Sequence, residues 1–305
     1  MKIVLYDDYR VGLLRNDEVV DVEDVLKDIP STTPQLKVEG LITNFMSVRS
    51  DLQGRLQSGP GVPLGSVKLR PPVPKPGKIV AMGGNFGEGV SKKGEMWGFL
   101  KSPEGIIGDG DTVTLPPHDA NIFHHEAELV AVIGHTVKNV KAADALKAVF
   151  GYTCGVDVSG RFPPSARQQF AKSFDGFAPI GPCIATWDEV PNPHDLQVRL
   201  WVDGQPRHDY PMNDIAHSVE ESIEWMTAIL TLNPGDLFFL GTNHQGIGPI
   251  QDGEHVDIEI SQIGRFGFNV SDPLKRRWPV GIDQDSADDV RLGKGGPGMR
   301  ARPLS

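Results

Sequence analysis

Short runs of alternating apolar and polar residues, separated by Gly, Pro, Asn and Asp, recur along this chain. Each predicts a half-buried strand. KIVLY and RVGLL flank Asp7-Asp8, and Asn16-Asp17 precedes EVVDV, so residues 2–22 read as strands joined by turns. A helical or mixed segment follows, carrying Val25, Leu26, Leu41, Ile42 and Phe45. Residues 58–77, SGPGVPLGSVKLRPPVPKPG, are dense in Gly and Pro and read as a linker or domain boundary.

Beyond it the pattern changes. KIVAMGG is a fully apolar strand that runs into the Gly-rich turn GGNFGEGV; the turn lacks the G-x-G-x-x-G spacing of a dinucleotide site. IIGDGDTVTLPP reads as β structure and AELVAVI as a central strand buried on both faces. Short helices are expected over 142–149 and 163–171. LQVRLWVDGQPRHDY predicts a hairpin turning at Asp203-Gly204. Ile215, Val219, Ile223 and Met226 make the apolar stripe of a helix over 214–230, capped by Asn213 or Asp214. DLFFLG and EHVDIEISQIG are further strands. Many strands and few helices give an α+β, β-rich fold class. The expected division is a small N-terminal α+β domain (1–70), a main domain (76–280) and a polar, Gly-rich segment (281–305), either a tail or an arm packing on a partner subunit.

Charge and cysteines narrow the functional classes. The formal net charge is −10, from 30 Lys+Arg against 40 Asp+Glu. That argues against nucleic acid or an anionic membrane surface as partner. Cys154 and Cys183 are too far apart for a C-x-x-C motif and read as small buried hydrophobes, which fits a reducing, cytoplasmic location. No secretory leader is evident in MKIVLYDDYR, and no apolar run is long enough to span a bilayer.

Candidate chemistry centres on HHEAELVAVIG. Glu126 and Glu128 lie two apart at the mouth of the apolar strand, so both side chains point to one face. Paired carboxylates resist burial unless a cation neutralises them. Asp157, in DVSGR, can add a third. Oxygen-only ligands favour Mg²⁺, with Mn²⁺ or Ca²⁺ as alternatives, over zinc. A solvated outer face is the plainer reading of the same pair.

HHEAELVAVIG, GYTCGVDVSGR, KSFDGFAPIGP and LNPGDLFFLGTNHQGIG together resemble, in order and spacing, the fumarylacetoacetate hydrolase family. The resemblance covers roughly residues 76–270 and extends to the short N-terminal domain of the smaller bacterial-type members. It implies a mixed β-roll catalytic domain, a homodimer or higher homo-oligomer, and a divalent cation held by Glu126, Glu128 and Asp157. It implies substrates with a 2-oxo acid or β-diketo unit. Lys172 falls on the lysine of the family's KSFD motif, near the metal. Thr242 and Arg161 fall on positions that imply contact with substrate. Where many members carry a histidine in G-L-N-Y-x-x-H, this chain has Gly89, and after Thr242 it carries His244 in place of a proline-containing form.

Three functions follow as expectations. The first is a Mg²⁺-dependent enzyme acting on a 2-oxo or β-diketo acid through a metal-stabilised enolate, with a lyase, hydratase/dehydratase or isomerase outcome. The second is a C–C bond hydrolase of acylpyruvate type. The third is a non-catalytic relative that binds metal and metabolite. Lys172, Glu88 and His244 are the candidate proton carriers, and Arg161 and Thr242 the candidate substrate contacts. The stretch Ser91–Trp97 is expected to act as a lid that selects the substrate.

Overall fold

The computed structural model describes residues 1–304 except 91–93, 164–169, 295 and 299. The fold is sheet-rich, 23% helical and 35% strand. A 12-stranded sheet runs through the molecule, beside a five-stranded sheet and a three-stranded one. No helix is long and apolar enough to cross a membrane among the described residues.

The N-terminal strands form as the alternation predicts, at Lys2–Tyr6, Arg10–Arg15 and Glu18–Asp21. Their apolar faces rest on the helix Pro34–Ser58, which buries Val38, Leu41, Ile42, Phe45 and Leu52. The Gly/Pro-rich stretch contributes two short strands, Gly61–Pro63 and Leu69–Arg70. Lys2–Tyr6 pairs with both Leu69–Arg70 and Ala178–Thr186, so these strands and the central ones share one sheet.

At the centre, Ala127–Ile133 lies between Val149–Val156 and Leu237–Phe239, and all three are buried throughout. Ile79–Gly83 pairs in parallel with Leu237–Phe239 and antiparallel with Trp97–Lys101. The expected hairpin forms from Gln197–Val202 and Gln205–Pro211. Asp203 and Gly204 take φ of 49° and 73°, the paired left-handed geometry of a tight hairpin turn.

Several element boundaries differ from expectation. The helix expected over 214–230 begins only at Val219, with Ser218 as cap and Glu221 closing a capping box. Asn213 and Asp214 sit in a preceding 3₁₀ turn, and Asp214 serves the site instead. Ala142–Ala145 is helical and continues as a 3₁₀ turn, Leu146–Ala148, before the next strand. Most of the helix expected over 163–171, and residues 91–93 of the expected lid, lie outside the described residues.

The C-terminal segment folds back on its own chain. Gln284–Arg291 is a helix capped by Asp283, and Leu304 N donates to Arg277 O. Both cysteines are buried free thiols, and burial pushes the Cys183 thiol up to about 12.

Candidate active site

The site forms where the central strands end. Ala127 pairs with Val156 in the last rung between their strands, and Asp157 N donates to Glu126 O at 2.8 Å. This ladder sets Glu126 and Asp157 opposite one another. Glu126 also marks a change of sheet: Ile122–His125, just before it, belongs to the three-stranded sheet with Ser159–Arg161 and Gly248–Pro249. Glu126, Glu128 and Asp157 are all buried, each offering an oxygen within 4.8 Å of the others. The open outer face is thereby excluded.

Three cations reach this cluster. Lys172 Nζ donates to Glu126 Oε2 at 2.6 Å and to Asp157 Oδ2 at 2.5 Å. Arg161 donates to Glu126, and the fully buried Lys101 donates to Asp157 and to the carbonyl of Lys172. Burial alone would raise the Glu126 carboxyl, but the charges of Lys172 and Arg161 outweigh it and hold it well below the ordinary range. Lys172 is likewise pulled down by burial and lifted further by Asp157 and Glu126, ending above the usual lysine value.

Glu128 forms no ion pair with any of these three cations, and the charge of Lys172 only partly offsets its burial. Gly241 N donates to Glu128 Oε2 at 2.7 Å. Burial first, then the charges of Asp157 and Glu126, push its carboxyl well above the usual value. A buried carboxylate whose counter-charge is outweighed by burial and by its acidic neighbours, in a cluster of hard oxygen donors, is what a divalent cation would satisfy. The residues present fit such an ion.

A second constellation stands beside the first. Glu88 accepts from His244 Nδ1 at 2.7 Å and from His244 N at 2.9 Å, and its other oxygen accepts from Gln245 Nε2 at 2.8 Å. Burial raises the Glu88 carboxyl, but the hydrogen bond and charge of His244 outweigh it, so Glu88 stays ionised. Glu88 holds φ at 51°, a left-handed conformation costing roughly 1–2 kcal/mol for a residue with a side chain. Asp214 holds it there: its backbone carbonyl accepts from Gly87 N at 2.7 Å and its carboxylate from Glu88 N at 3.2 Å. Buried Asn85 ties the same turn to the neighbouring loop, donating to Leu240 O at 3.0 Å.

Glu126, Arg161, Lys172, Thr242 and His244 all line one cavity of about 250 Å³. The buried Thr242 hydroxyl has no hydrogen-bond partner of ordinary geometry among the described residues. All eight residues singled out in the sequence therefore converge on one place. His124 and His125 are both buried, facing different neighbours. His124 accepts from Arg161 Nε at 3.3 Å and contacts Asp283 at 3.0 Å; burial holds its pKa at about 4, so it is neutral. His125 pairs with His208 at 3.2 Å. Lys101, Asn85, Asp214 and Asp283 were not legible as site residues. Only Lys101 left a signal, a lysine closing the largely apolar strand WGFLK.

The fumarylacetoacetate (FAA) hydrolase C-terminal family model matches residues 78–271. Maleylpyruvate hydrolase of Aquipseudomonas alcaligenes is 33% identical over 284 residues, covering 87% of this chain and 97% of that protein. A mitochondrial oxaloacetate tautomerase of Bos taurus is 31% identical over 262 residues, covering 81% and 82%. The crystal structure of maleylpyruvate hydrolase from Sphingobium sp. SYK-6, in complex with manganese(II) and pyruvate, superposes with a TM-score of 0.81 at 32% identity. It covers 89% of this chain and 99% of that one.

Proposed function

This chain belongs to the fumarylacetoacetate hydrolase family, and from that premise we propose that it cleaves a C–C bond in a compact acylpyruvate-type 2-oxo acid by metal-dependent hydrolysis. Glu126, Glu128 and Asp157 would hold the cation, with Mg²⁺ preferred for an all-oxygen donor set. When bound, the cation polarises the 2-oxo group and offsets the negative charge that develops as the bond breaks. The buried free thiols support a reducing, cytoplasmic setting.

The observation that carries this reading is the Glu88–His244 hydrogen bond. The family histidine is replaced by Gly89, yet an imidazole from another loop stands against a carboxylate one residue away in sequence. Glu88 accepts the Nδ1 proton and so leaves Nε2 as the basic nitrogen, on a residue that lines the cavity. A water giving its proton to Nε2 adds its oxygen to the acyl carbon. The C–C bond then breaks, its electron pair stays on the pyruvate fragment, and the imidazolium returns the proton to that carbon. Lys172 and Arg161 anchor the anionic end of the substrate, and Thr242 adds a buried hydroxyl at the cavity.

A second reading is tautomerisation or isomerisation of a 2-oxo acid, which needs the same proton carrier but no water. The likeness to an oxaloacetate tautomerase favours it. An assay of acylpyruvates and oxaloacetate with Mg²⁺ or Mn²⁺, following ultraviolet loss of the enol band and release of pyruvate, separates the two. His244→Ala is expected to lower kcat by ~10²–10⁴, the usual range for a general base, with Mn²⁺ affinity unchanged. Full activity in that variant would remove the imidazole from the chemistry.

A further inference from the structure

The family match ends at residue 271, yet the described part of the chain beyond it touches the site at several points. Gly296 and Pro297 line the 250 Å³ cavity together with Trp97 and the site residues. Asp283 N donates to Ile247 O at 2.8 Å, and Gln245 Nε2 donates to Ala287 O at 3.2 Å, so the segment grips the loop that carries His244. The fit is tight: a Cβ on Gly248 would lie 2.3 Å from Gly281 O.

Arg161 is held from two sides by the same segment. On one side, His124 links Asp283 to Arg161. Arg161 Nε donates to His124 Nδ1, which leaves the ring proton on Nε2, facing Asp283 Oδ2. On the other side, Gly298 (φ +75°) lies so close that a Cβ there would sit 2.5 Å from Arg161 Cγ. Gly298 is itself fixed, its N–H donating to Ser286 Oγ at 2.6 Å and its carbonyl accepting from Asn121 Nδ2 at 3.1 Å.

We propose that this C-terminal segment determines substrate length: Pro297 and Gly296 wall the cavity that Glu126 also lines, and Asp283, as a positioning residue acting through His124, aims Arg161 at the substrate's anionic end. The proposal rests on the placement of a 2-oxo acid at that cluster. At about 250 Å³ the cavity falls below the ~300–1,000 Å³ of ordinary ligand clefts, so a short 2-oxo acid fits and a long unbranched one meets Pro297. The wall is backbone and ring carbon, which selects by size and leaves charge recognition to Arg161 and Lys172.

Calorimetric titration of the Mn²⁺-loaded protein with pyruvate and with 2-oxohexanoate tests this. The wild type is expected to prefer pyruvate, and Pro297→Ala to reduce that preference about tenfold, chiefly by tighter binding of the longer acid. Asp283→Ser keeps a helix cap but cannot reach His124, and is expected to weaken pyruvate about tenfold. Asp283→Asn keeps an acceptor and should restore most of that loss, with Mn²⁺ affinity unchanged in both. If the wild type binds neither acid, the functional reading fails and the wall with it. If it binds pyruvate but Pro297→Ala leaves the preference unaltered, or Asp283→Asn is no better than Asp283→Ser, the segment has no part in recognition and only this proposal falls.

Discussion

The acidic cluster and the Glu88–His244 pair lie at one cavity but are built by different means. Glu126, Glu128 and Asp157 hang from the ends of adjacent, fully buried strands. Their spacing is fixed by sheet register, and a one-residue slip would turn a buried face outward. Glu88 and His244 come from two loops with no ladder between them. Their geometry rests on the hydrogen bonds they make with each other and with Gln245 and Asp214. A hard cation tolerates only a rigid cradle of matched oxygens, whereas a proton carrier needs reach and a partner that sets its tautomer. The strands supply the first and the loops the second.

Removing a carboxylate should separate the two regions most sharply. Asp157→Ala is expected to weaken Mn²⁺ by more than ~100-fold, because even residues that merely orient metal ligands are worth ~10–100-fold. It should abolish turnover while leaving His244 against Glu88; titration calorimetry and the enol assay read the two effects. Retained metal affinity would mean that the cluster is a structural ion-pair network. The converse variant, His244→Ala, should lose turnover and keep the metal.

A change at the joint between the regions should cost stability. Gly241 carries φ of 94° so that its N–H reaches Glu128, and a Cβ there would stand 3.0 Å from Asn85 Cβ. Gly241→Ala is therefore expected to destabilise the fold by about 2 kcal/mol, from backbone strain and displacement of Asn85. Denaturant unfolding measures this, and a cost near zero would show that the joint is soft.

The smallest expected effect is on acidity. Burial raises the Asp283 carboxyl, but hydrogen bonds from His124 and Ser286 outweigh that and hold it at about 2. A carboxyl whose folded pKa is depressed adds stability above its unfolded value near 3.8, and that stability is lost as pH falls toward 2. Amide exchange in the helix Gln284–Arg291 should therefore rise over that interval ahead of exchange in the central strands. The lead should shrink in Asp283→Asn, which has no charge to lose; an unchanged lead would place the acid sensitivity elsewhere.

Much of this molecule was written locally. Alternation fixed the N-terminal strands and the hairpin at Asp203-Gly204, because strand geometry sends successive side chains to opposite faces. The same period put Glu126 and Glu128 on one side, and the ordered motifs named the family. Other features depended on contacts distant in sequence. The capping box at Ser218 overrode Asp214 as helix start, which freed Asp214 for the Glu88 turn. His244 meets Glu88 across 156 positions, and Asp283 reaches His124 across 159. Such pairings leave no periodic trace, since they arise only when separate loops are packed against one core. The sequence by itself determined which strands form and which acids share a face; the tertiary structure alone decided which base stands beside them and what closes the cavity.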